Sequence, residues 1–145
     1  MALPVVYCDT SVWLKLYVQE AGTAEIRQIA DENRLISSAL LLTEAYSALK
    51  RKKTNRELSD PDFNKVTTLM ESDISAVHLI AIGDPQLKKS RGIVLHTEVG
   101  TLDALHIASA ITFQELSGIS TPFITADRRQ HDCARQAGLQ VRFIP

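Results

Sequence analysis

Four acids stand where the local pattern of the chain changes, and carboxylates so placed are the raw material for holding a divalent cation and activating water. Asp9 ends the apolar run Val5-Val6-Tyr7-Cys8 and is followed by Thr10-Ser11; Asp127 ends Pro122-Phe123-Ile124-Thr125-Ala126. Asp103 lies in Thr101-Leu102-Asp103-Ala104-Leu105-His106, and Glu44 in Leu40-Leu41-Leu42-Thr43-Glu44-Ala45-Tyr46. Each also has an ordinary explanation. An Asp before a helix satisfies orphan amide donors. Asp103 in a first helical turn gains ~0.3–1 kcal/mol from the helix dipole, and Glu44 borders an apolar helix face as a solvated acid would. Together the four form a set of hard oxygen donors suited to Mg²⁺ or Mn²⁺. Spacing alone leaves both readings open.

Other chemistries find less support. His78, His96, His106 and His131 are scattered, and no His/Cys set has zinc spacing. Cys8 and Cys133 are too few for a disulfide framework. No Gly-rich phosphate loop occurs. His106 follows Asp103 on the same helix face and reads as a packing or supporting residue, not a ligand. Thr10, Ser11 and Thr125 can bond the carboxylates or the waters around an ion, with capping and strand packing as their everyday roles. The basic run Lys50-Arg51-Lys52-Lys53 suits a helix C-terminus. Arg51 also lies two turns along the face of Glu44, about 10 Å away at 1.5 Å per residue. A phosphate backbone entering an acidic pocket would pass there, so the run is a candidate nucleic-acid contact. Arg128 and Arg129 are weaker candidates for the same task. Trp13 and Tyr17 read as core or dimer surface.

The elements that must position these residues alternate. Strands are expected at Val5–Cys8, Arg34–Ser38, His78–Ile82 (buried), Pro122–Ala126 and Val141–Ile144. Between them helical spacing predicts a helix after Asp9 carrying Val12, Trp13, Leu16 and Tyr17, then helices over Thr23–Glu32, Ala39–Lys53, Pro61–Ala76 with Asp60 as cap, Asp84 to near Gly92, Leu102–Leu116 closed by Gly118, and one ending at Gly138. Strands separated by helices imply an α/β fold: a single-domain three-layer α/β/α sandwich over residues 1–145, with a mostly parallel central sheet. In such a sheet ligands collect at the carboxyl ends of the strands, where Asp9 and Asp127 fall.

The composition bounds the function. At 145 residues one core suffices, and 45% apolar with 23% charged residues argues against disorder. Sixteen Lys/Arg against seventeen Asp/Glu give a net charge of −1, so a nucleic-acid partner needs a local patch. No apolar run approaches the ~18 residues of a membrane span, and Met-Ala-Leu-Pro is no secretory start. A soluble, cytoplasmic protein is expected.

Four short motifs in this order resemble the PIN-domain family, and within it the VapC-type toxin ribonucleases: Tyr7-Cys8-Asp9-Thr10-Ser11, Glu44 in Leu-Leu-Thr-Glu-Ala-Tyr-Ser-Ala-Leu, Leu102-Asp103-Ala104-Leu105-His106-Ile107-Ala108, and Ile124-Thr125-Ala126-Asp127-Arg128-Arg129. The likeness runs from Val5 to Val141. It implies a PIN-like nuclease domain, a metal-dependent endoribonuclease that hydrolyses RNA phosphodiester bonds as the toxin of a type II toxin–antitoxin pair. It further implies a pocket built from Asp9, Glu44, Asp103 and Asp127, a Mg²⁺ cofactor replaceable by Mn²⁺, a homodimer, and a VapB-type antitoxin. Asp132, five residues past Asp127, would face elsewhere on its helix and is left out. Two other readings are a flavodoxin-like phosphoacceptor signalling domain, with Asp84 as acceptor, and a catalytically inactive PIN fold used for binding. The first lacks an acid pair after the first strand and a Lys at a late strand end.

Overall fold

A computed structural model describes residues 2–145. Five strands, β1 (Val5–Cys8), β2 (Arg34–Ser38), β3 (His78–Ile80), β4 (Phe123–Thr125) and β5 (Val141–Phe143), form one sheet in the order β3-β2-β1-β4-β5. Every pairing is parallel; Tyr7 stands opposite Ile36 on one side and Phe123 on the other. Seven helices complete the chain: α1 (Thr10–Trp13), α2 (Thr23–Glu32), α3 (Leu41–Thr54), α4 (Asp60–Asp73), α5 (Asp84–His96), α6 (Thr101–Ser117) and α7 (Arg128–Gln136).

Strand alternation divides the core. Tyr7 joins Ile107 and Ala108 of α6, Ile93 of α5 and Ala134 of α7 on one face of the sheet. Val6 and Cys8 face the other way, against Val12, Ile26 and Ile29. Leu41, Ala45 and Leu49 of α3 pack with Val66 and Met70 of α4 around Trp13. The result is the expected three-layer α/β/α arrangement. Among the described residues no helix is long and apolar enough to cross a membrane.

Four local expectations need correction. The third strand is shorter than predicted and exposed, because β3 is an edge strand with only β2 beside it. Helix α5 runs through Gly92 to His96, since buried Ile93 anchors its last turn and a residue without a side chain is tolerated inside a packed helix. Ser59, not Asp60, caps α4: its Oγ accepts from the Asp62 amide at 3.2 Å. The helix after Asp9 lasts one turn before a 3-10 turn over Leu14–Leu16.

Candidate active site

The strand order reverses direction between β1 and β4, and an open parallel sheet leaves a crevice at the carboxyl ends of strands flanking such a reversal. A cleft of about 340 Å³ opens there. Asp9, Glu44, Asp103 and Asp127 all line it. They arrive on four elements: the ends of β1 and β4 and the first turns of α3 and α6.

Asp9 is 3% exposed and bonded at both oxygens. Its Oδ1 accepts from Ser11 Oγ (2.6 Å) and the Val12 amide (3.2 Å), and its Oδ2 from Thr125 Oγ1 (2.6 Å). The same two hydroxyls accept from the turn after β4: Ser11 Oγ from the Ala126 amide and Thr125 Oγ1 from the Asp127 amide, both at 3.0 Å. Ser11 and Thr125 therefore stitch the two strand ends together through Asp9. Burial raises the Asp9 pKa, while His106 and these donors oppose the shift.

Asp127 caps α7, its Oδ1 accepting from the Gln130 amide at 3.1 Å. Glu44 Oε1 accepts from Thr10 Oγ1 at 3.0 Å and lies 2.5 Å from His106 Nε2. Asp103 makes no side-chain hydrogen bond among the described residues. Its pKa is raised, first by burial and then by the charges of Asp127 and Asp9, with Glu44 adding less and His106 opposing. The four acids thus share one electrostatic neighbourhood.

The expected basic run divides. Arg51 and Lys52 line the cleft, Arg51 bonding Ser47 Oγ at 3.1 Å. Lys53 instead pairs with Asp60 at 3.4 Å and sits over the Phe63 ring, and Lys50 is exposed outside the cleft lining. Arg128 is stacked on Phe143, 3.8 Å from its ring centre. Trp13 is core, and Tyr17 packs against that core while its hydroxyl bonds Asp73. Asp132 pairs with His131 at 2.8 Å and lies outside the cleft.

Lys15, Glu20 and Gln130 also line the cleft, without having been expected there, as does His106, expected as a packing or supporting residue on the face of Asp103. Lys15 is buried, its Nζ donating to the Ala21 carbonyl at 2.7 Å. A lysine between Leu14 and Leu16, inside an apolar run, was its only signal. Gln130 announces itself by nothing in its neighbourhood, since its Nε2 reaches the Asp103 carbonyl far back in sequence.

Among the described residues no three acids converge closely enough to grip one ion directly. The donor chemistry nonetheless suits Mg²⁺ or Mn²⁺. All four groups are carboxylates, and Mg²⁺ is commonly held by one or two of them with waters and substrate phosphate completing its shell. The hydrogen bonds also leave capacity free: Glu44 Oε2, Asp127 Oδ2 and both Asp103 oxygens accept nothing from the described side chains or amides.

The phosphoacceptor reading fails on topology. That fold orders its strands 2-1-3-4-5, whereas here β1 is central and β3 at the edge. Asp84 is exposed at the start of α5 and does not line the cleft.

Comparison with known proteins agrees with this geometry. The PIN domain family matches residues 6–136. No curated protein matches the chain. Among solved structures, VapBC2 from Rickettsia felis bound to a DNA fragment from its promoter superposes with a TM-score of 0.69 at 11% identity, covering 97% of this chain and 99% of that one. FitAcB from Neisseria gonorrhoeae gives 0.66 at 14%, over 94% and 95% of the two chains. VapBC-5 of Mycobacterium tuberculosis, from a toxin–antitoxin family, gives 0.59 at 16%, over 97% of each. At such identities the likeness is one of fold.

Proposed function

The chain belongs to the PIN-domain family, and from that premise we propose that it is a metal-dependent endoribonuclease, the VapC-like toxin of a toxin–antitoxin pair. One observation carries the reading: four carboxylates from four separate elements line one cleft at the β1/β4 reversal. Asp9, Glu44, Asp103 and Asp127 are the residues that would hold Mg²⁺ or Mn²⁺. Such an ion, when bound, neutralises phosphate charge and lowers the pKa of a water.

The rest of the task falls to the chain itself. Ser11 and Thr125 fix Asp9, and Thr10 fixes Glu44, so that oxygens stay where an ion and its waters need them. Arg51 and Lys52 supply positive charge beside the acids, where the RNA backbone would otherwise be repelled. Lys50 and Lys53 would reach RNA only as flanking contacts. The similar folds solved as toxin–antitoxin systems support a cognate VapB-type antitoxin that covers the cleft. A homodimer working in the cytoplasm completes the proposal.

Sequencing RNA ends after brief expression of wild type beside Asp9→Asn tests it. Mg²⁺- or Mn²⁺-dependent cleavage should fall at least ~10²-fold in the mutant, the order seen when one group stabilising transition-state charge is lost. Undiminished cleavage after exhaustive chelation would overturn the assignment.

A further inference from the structure

His106 is fully engaged at the floor of the cleft. It follows Asp103 by three positions on α6 and is 1% exposed. Its Nδ1 lies 2.7 Å from the Tyr7 hydroxyl, and its Nε2 lies 2.5 Å from Glu44 Oε1. A carboxylate only accepts, so Nε2 carries the hydrogen, and Nδ1 is paired with the Tyr7 hydroxyl. Tyr7 is itself buried on β1 and stacked on Phe123 with ring centres 5.1 Å apart and planes 9° apart.

The consequence falls on Glu44. Thr10 supplies a second donor to Oε1, so both acceptor positions of that oxygen are filled while Oε2 accepts nothing among the described residues. Helix α3 contributes no hydrogen bond of its own to this carboxylate. Both groups that grip it come from α1, which Asp9 caps, and α6, which carries Asp103. A Glu side chain has three rotatable bonds and would otherwise sample solvent.

Resting on the nuclease reading above, we propose that Tyr7 and His106 are positioning residues that lock Glu44 with Oε1 occupied and Oε2 as its one oxygen available to a divalent cation or its waters. A buried histidine that merely satisfies the core accounts for the burial. It does not account for a donor chain ending on a cleft carboxylate. Partners that orient metal-binding side chains in this way are worth ~10–100-fold in metal affinity.

The test is Mn²⁺ binding to the full chain without RNA, by calorimetry, with thermal melting as a check of the fold. Gln at 106 places an amide N–H near the position of Nε2 and can still donate to Oε1, whereas Asn falls short. His106→Gln should bind Mn²⁺ close to wild type, His106→Asn about tenfold more weakly or worse, and Tyr7→Phe between them. Wild-type affinity in His106→Asn, whatever its melting temperature, would overturn the proposal, as would equal losses in the Gln and Asn variants. Should His106→Asn fail to fold, Tyr7→Phe removes only one oxygen, and unchanged affinity there is equally decisive against it. Absence of Mn²⁺ binding by wild type, together with absence of RNA cleavage, would instead strike the nuclease reading itself.

Discussion

Asp103→Asn should make the metal-free protein more stable. Asp103 is half-buried, makes no side-chain hydrogen bond and feels the charges of Asp127, Asp9 and Glu44. Its folded-state pKa is therefore raised, burial first and like charge second. Between the unfolded pKa and this higher folded one, the folded state binds more protons, so stability falls as pH rises through that window. Above it the penalty is fully present. Two unit charges ~8 Å apart at an effective dielectric of ~40 repel by about 1 kcal/mol, and three neighbours act at once. Against this stands the loss of ~0.3–1 kcal/mol from an acid in the first turn of α6. The net expectation is a gain on the order of 1 kcal/mol at pH 7, or about 2–4 °C in a domain of this size. Melting curves in chelator at neutral and mildly acidic pH measure it, and the gain should shrink toward pH ~4 as the acid protonates in both states. Mg²⁺ should raise the melting temperature of wild type more than that of the mutant. A mutant that melts lower than wild type at neutral pH, with equal Mg²⁺ shifts in both, would show that Asp103 only favours its helix start.

Two further outcomes follow from the cleft. Changing Arg51 and Lys52 together to Gln should lower the salt slope of RNA binding by about one to two units, while Lys50 and Lys53 changed together should move it much less; equal effects from both pairs would deny the cleft any preference for its lining residues. Thr125→Val keeps shape but removes the hydroxyl between Asp9 Oδ2 and the Asp127 amide. It should cost ~1–3 kcal/mol by urea unfolding, and a neutral result would mean that water replaces the hydroxyl freely.

Legibility in the sequence followed the range of the interaction. Strands β1 and β4 are apolar runs stopped by polar residues, and β2 sets Leu35-Ile36 between Arg34 and Ser37-Ser38, so local pattern suffices. The run His78-Leu79-Ile80 has the same local look, yet whether a strand is buried depends on how many neighbours it has, and that is decided by crossovers elsewhere in the chain. The Ser59 cap was missed because Ser and Asp adjoin there and either could serve. Among the acids, Asp9 and Asp127 could be placed at the sheet edge from pattern alone. Glu44 and Asp103 begin helices, and only the family likeness brought them to the same cleft. Lys15 and Gln130 escaped because what brings them to the cleft is its wall, assembled from segments distant in sequence.

Capping and clustering, which compete as explanations when the sequence is read alone, turn out to be compatible in this fold. In a parallel sheet each strand hands over to its helix at the carboxyl edge, so the residue that caps the helix also stands beside the crevice. Asp127 divides its two oxygens accordingly: Oδ1 takes an amide hydrogen of α7 and Oδ2 is left free. Asp9 goes further, caps α1 through Oδ1, and accepts two hydroxyls besides. Those donors, with His106, oppose the burial that raises its pKa. Helix-start chemistry therefore does not argue against a metal site here. In Asp127 it fixes which oxygen faces the amide and which is left free, and Asp103, with no side-chain hydrogen bond among the described residues, is the position where burial and repulsion together can be measured.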